Sequence, residues 1–86
     1  MKFEYKTNGT CSSRILFEVD DDRVHDLEYI GGCNGNLQGI GRLVEGMQID
    51  EVIARLSGIH CGAKPTSCPD QLARALTEAK EKLAQA

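Results

Sequence analysis

The chain has 86 residues, with two Phe, two Tyr and no Trp, so it holds one small domain with a thin aromatic inventory. Its 41% hydrophobic and 27% charged content excludes wholesale disorder. Ten basic against thirteen acidic residues give a net charge of −3, which argues against a nucleic-acid binder.

Residues 1–31 read as strands. "KFEYKT" and "SSRILFEV" flank "NGT", and "VHDLEYI" follows the acidic run Asp20-Asp21-Asp22, giving a three-stranded antiparallel meander. Phe3 and Tyr5 share a face with Ile15, Phe17 and Val19 only if paired positions sum to an even number. That favours a three-residue loop, Asn8-Gly9-Thr10. Cys11 then has the parity of the inward residues. The same rule pairs Val19 with His25 and Ile15 with Tyr29, and its extension brings Cys11 opposite Cys33. His25 is expected as a packed or rim histidine. The aspartate run lacks the spacing of a calcium loop and is expected to be a solvated turn.

From residue 34 the period becomes helical. Leu37, Ile40 and Val44 fall on one stripe, with Asn34 or Asn36 as N-cap. Gly39 and Gly41 imply that something approaches this helix closely, or that it breaks there. "DEVIARLSG" predicts a short helix capped by Asp50 and stopped at Gly58. Ser67 or Cys68 before Pro69-Asp70 starts the last helix, with Leu72, Leu76, Ala79 and Leu83 on its apolar stripe. The expected fold is α+β, a single domain over 1–86: a three-stranded antiparallel meander followed by two or three helices packed on one face. No apolar run approaches the ~20 residues of a membrane span, and the first ten residues lack an apolar leader region. A cytoplasmic location is expected.

The four cysteines, Cys11, Cys33, Cys61 and Cys68, each fall at a junction between elements, where side chains can converge at one end of the sheet. None forms a CxxC pair. Three readings stay open. All four hold one zinc ion, which suits a small domain short of core. Alternatively Cys61 and Cys68 are a redox pair, the latter favoured as a thiolate by its helix N-terminus. Otherwise the thiols are packed as small hydrophobes. His60, beside Cys61, is expected as a loop residue. A weaker candidate is phosphate or nucleotide binding by Gly35, Asn36, Gly39, Gly41 and Arg42, although the spacing matches neither a Walker loop nor a dinucleotide fingerprint. A nucleophile elbow is absent, and a Cys–His nucleophile drawn from Cys68 with His60 or His25 needs a proximity that sequence does not give.

"PTSCPDQLARAL" (65–76), "GGCNGNLQGIGRLVEGM" (31–47) and "LSGIHCG" (56–62) together resemble the TSCPD domain, named for Thr66-Ser67-Cys68-Pro69-Asp70. The resemblance covers nearly the whole chain and fits the small stand-alone form. Longer relatives end adenosylcobalamin-dependent ribonucleotide reductases. It implies metal or redox work by the cysteines, in an accessory module partnered with a ribonucleotide reductase or another protein. Reduction itself needs a barrel with a radical-forming cysteine, which 86 residues cannot supply. No membrane partner is expected. Leu16 and Ile30 on the outer sheet face leave monomer and homodimer both open.

Overall fold

The alternation in residues 1–31 and the helical period beyond it give six elements in the computed structural model, which describes residues 1–85. They are β1 (Lys2–Lys6), β2 (Ser12–Asp20), β3 (Arg23–Gly31), α1 (Asn34–Val44), α2 (Ile49–Leu56) and α3 (Cys68–Gln85). The strands form one antiparallel sheet in the order β1-β2-β3. The α+β meander with three helices is as expected.

Parity holds in the first hairpin: Phe3 pairs with Phe17 and Tyr5 with Ile15. The rings of Phe3 and Phe17 stack with centroids 5.5 Å apart. The connection is longer than expected, spanning Thr7 to Cys11. Thr7 holds it by donating its hydroxyl to the Ser12 carbonyl at 2.6 Å.

The second hairpin departs from the simple register. Val19 pairs with Val24 and Glu18 with His25, while Ile15 still meets Tyr29. Asp21 and Asp22 both take positive φ, at 54° and 60°, which closes a tight two-residue turn. A bulge opposite Phe17 then absorbs the extra residue, with Asp26 at φ 55°. Glu45 clamps it, its carboxylate accepting the Asp26 N–H at 2.9 Å and lying 2.7 Å from His25 Nδ1. The Asp26 N–H first, and then His25, hold the Glu45 carboxyl below its usual range. His25 is therefore a rim histidine.

A second register shift lies between Ser12 and Arg14, so Ser12 opposes Gly31. It turns Ser12 inward and leaves Cys11 exposed, reversing the parity expected there. The register that would set Cys11 against Cys33 is not followed, because β3 ends at Gly31 and the chain leaves it through two positive φ angles.

Ile15, Phe17, Val19 and Val24 from the sheet meet Val44, Ile49 and Val52, and Leu72, Ala75, Leu76 and Ala79 from α3. Helix α1 lies against β3, α2 against α3, and α3 on β2. Gly41 of α1 serves this packing: a Cβ there would stand 3.1 Å from the Leu27 carbonyl oxygen, whereas Gly35 and Gly39 have nothing so near. The helix is continuous through both glycines. Its N-cap is Cys33, without a side-chain cap bond, and α2 is capped by Gln48 instead of Asp50. Asp50 instead meets Lys80 of α3 at 2.6 Å.

Candidate functional site

The sequence Thr-Ser-Cys-Pro-Asp starts α3, and most of its side chains are committed to building that start. Ser67 caps the helix: its oxygen accepts the Asp70 N–H at 3.1 Å and its hydroxyl donates to the Ile59 carbonyl at 2.6 Å. Pro69 occupies the first turn, where its missing N–H leaves no helical bond unmade. Asp70 is buried, accepting the Thr66 hydroxyl on one oxygen and the Gly58 N–H on the other at 2.7 Å. Arg74 reaches the same carboxylate at 3.0 Å. Burial works against that charge, but the bonds from Thr66, Gly58 and Arg74 outweigh it and hold the Asp70 carboxyl below its ordinary value. Gln71 completes the frame, donating to Thr66 Oγ1 at 3.0 Å and accepting the Asn8 N–H at 3.1 Å. Through that bond the first hairpin is fixed to α3.

One side chain of the motif is left for chemistry. Cys68 is 7% exposed, with Cys11 Sγ 3.8 Å and Ser12 Oγ 3.3 Å from its sulfur. Thr10 Oγ1 stands 3.2 Å behind Ser12 Oγ. Burial disfavours the thiolate, yet donors on the Ser12 side chain and backbone, on Cys11 and on Thr10 lower the Cys68 thiol below its ordinary value. Tyr29 spans the same end of the sheet and donates to the Cys68 carbonyl at 2.9 Å. Burial, and next the charge of Cys68, push its phenol above the usual range. Gly32 is where a side chain would intrude. Its Cβ would lie 3.1 Å from Cys11 Sγ and 2.9 Å from Leu37, at a φ of +84°.

Of the four cysteines, two sulfurs are in contact. The partner that meets Cys68 is Cys11, where the sequence pointed to Cys61. Cys33 and Cys61 are exposed, the first on the N-cap of α1, the second in the loop before α3 with its N–H on the Thr66 carbonyl. Among the described residues, no group of three or more His, Cys, Asp or Glu side chains is placed to hold a metal ion. The four-thiolate zinc centre is thus not assembled in this arrangement. His60 is an exposed loop residue.

The phosphate candidates Gly35, Asn36, Gly39, Gly41 and Arg42 all lie inside α1, a regular helix and not a cradle. Gly35 and Gly39 face open space, and Gly41 abuts β3. Arg42 is in the last turn, about 12 Å along the axis from the helix start at ~1.5 Å per residue. A cleft of about 380 Å³ does lie between β3 and α1, lined by Glu28, Tyr29, Gly32, Asn34, Leu37 and Gln38 among others.

Sequence reasoning missed Ser12, Thr10 and Tyr29. The bulge that turns Ser12 inward leaves no mark on the alternation. The start of α3 at Ser67 or Cys68, ahead of Pro69 and Asp70, was the legible part, and Ser67 is the cap.

No described helix is long and apolar enough to cross a membrane. Neither a curated protein nor a solved structure gives a significant match to the chain. The family model described as the TSCPD domain matches residues 2–80, and the chain belongs to that family.

Proposed function

We propose that this domain is a thiol module, accessory to nucleotide metabolism of the ribonucleotide-reductase type, whose working pair is Cys11 and Cys68. The observation that carries the reading is the 3.8 Å contact between an exposed thiol and a buried one. Cys11 is the sulfur that a partner reaches. After giving its proton to solvent, Cys11 attacks one sulfur of a disulfide on the partner. A mixed disulfide forms and one partner thiolate leaves. The Cys68 thiolate then attacks Cys11 Sγ and expels the second partner thiolate. Two electrons pass to the partner, and the domain is left with a Cys11–Cys68 disulfide. The reductase setting is supported by the likeness of the three motifs to the domain that ends such enzymes.

A second reading keeps zinc. Sulfurs about 2.3 Å from one tetrahedral ion stand about 3.8 Å apart, the separation of Cys11 and Cys68. Cys61 is two residues past Ile59, whose carbonyl is bonded to Ser67, and Cys33 follows Gly32, which abuts Cys11. This reading requires both exposed thiols to swing inward around the ion.

Intact mass spectrometry, native and denatured, followed by peptide mapping separates the two. Mild oxidation is expected to remove two hydrogens and link the Cys11 and Cys68 peptides, reversibly. A zinc-sized mass lost on denaturation, with all four thiols protected beforehand, establishes the second reading instead. No metal and no linkage under oxidant defeats both.

A further inference from the structure

The buried start of β2 carries a polar side chain that the exchange chemistry above does not use. Ser12 is 5% exposed and faces Cys68, itself 7% exposed, across 3.3 Å. Its inward direction comes from the register shift between Ser12 and Arg14. Thr10 Oγ1 lies 3.2 Å from Ser12 Oγ and 3.4 Å from the Ser12 carbonyl oxygen. A Thr10 hydroxyl directed at Ser12 leaves the Ser12 proton free for the sulfur. Of the acceptors beside it, a reduced Cys68 carrying charge is the strongest.

We propose that Ser12 is a positioning residue of the thiol pair: its hydroxyl donates to Cys68 Sγ in the reduced protein and sets how readily the Cys11–Cys68 disulfide is reduced. The inference rests on the exchange reading of that pair. A thiolate is a strong hydrogen-bond acceptor, whereas a sulfur in a disulfide is a weak one. The bond therefore stabilises the reduced form selectively and makes the disulfide easier to reduce. The same contact anchors Cys68 Sγ where it faces Cys11 Sγ.

The test equilibrates the full chain with graded ratios of reduced to oxidised dithiothreitol. The two protein thiols lose two electrons and two protons as oxidised dithiothreitol gains them. Alkylation quenching and peptide mapping then read the fraction of Cys11–Cys68 disulfide. Ser12→Ala is expected to shift that equilibrium about tenfold toward the disulfide, equivalent to about 30 mV. An unchanged equilibrium in a folded Ser12→Ala chain overturns the inference. Should that variant not fold, Ser12→Thr and Ser12→Val, alike in shape and different in the hydroxyl, carry the comparison. Equal equilibria for this pair overturn the inference as well. If the unaltered chain forms no Cys11–Cys68 disulfide at any ratio, the exchange reading fails and takes the inference with it, a result distinct from an equilibrium that Ser12 does not move.

Discussion

Asp70 accepts the Gly58 backbone N–H at 2.7 Å, so the first turn of α3 is bonded to the turn that follows α2. Helix α2 ends at Leu56 with Ser57 extended as its C-cap, and Gly58 follows at φ +83° in the turn that leads to Ile59. The loop carrying His60 and Cys61 has its entry tied to its exit, Gly58 by this bond to Asp70 and the Ile59 carbonyl by Ser67.

Replacing Asp70 by Ala removes a buried acceptor from Thr66, Gly58 and Arg74 together. A loss of about 2–3 kcal/mol is expected in urea denaturation. The pH dependence has a defined sign. Because the folded carboxyl is held below its ordinary value, its stabilisation is complete above the unfolded value of ~3.9 and is lost as pH falls through the folded one. Melting temperature should drop steeply below about pH 4, and Asp70→Asn should flatten that part of the slope.

Two glycines of α1 should respond in opposite directions. Gly39→Ala adds a methyl to open space in a helix interior, and a gain of up to ~1 kcal/mol is expected. Gly41→Ala presses on the Leu27 carbonyl, so α1 must move off β3 and stability should fall by about 1–3 kcal/mol. Thermal melts of the two variants side by side check the contrast. A stabilised Gly41→Ala would mean that the helix is not seated so closely.

Leu72 is fully buried among the sheet and α3 residues of the core. Leu72→Ala is expected to cost about 2–5 kcal/mol, a large share of the roughly 4–13 kcal/mol that a chain of 86 residues has to lose. Calorimetry should show a lowered transition, or none.

Tyr29→Phe removes the donor to the Cys68 carbonyl while keeping the ring. The carbonyl lies in the first turn of a helix, so the penalty should stay near ~1 kcal/mol. Disulfide equilibria measured as for Ser12 should not move, which separates a residue that bonds the backbone of Cys68 from one that bonds its sulfur.

Much of this fold was legible because one face of each element is apolar at a fixed period. Phe3, Tyr5 and Ile15 fix the strand parity, and Leu72, Leu76 and Ala79 fix the buried stripe of α3. Pro69 and Asp70 mark the first turn of α3, while the choice between Ser67 and Cys68 as its cap needed the structure, which gives Ser67. What escaped were the two places where the second hairpin slips register. Asp26 absorbs one residue by adopting a positive φ, a conformation that its side chain tolerates without signalling it. The other slip swaps the sides of Cys11 and Ser12. The convergence of the cysteines was readable only as junction positions, since which sulfurs touch depends on that slip.

The Asn8–Gln71 bond and the Cys11–Cys68 contact join positions 63 and 57 residues apart. A nascent chain emerging from the ribosome presents Cys11 long before Cys68 exists, and Ser12 has no sulfur to meet until α3 docks. The thiol pair therefore exists only while α3 is docked against the start of β2. A fragment lacking the last helix carries the first thiol without its partner, so the contact itself marks a whole domain.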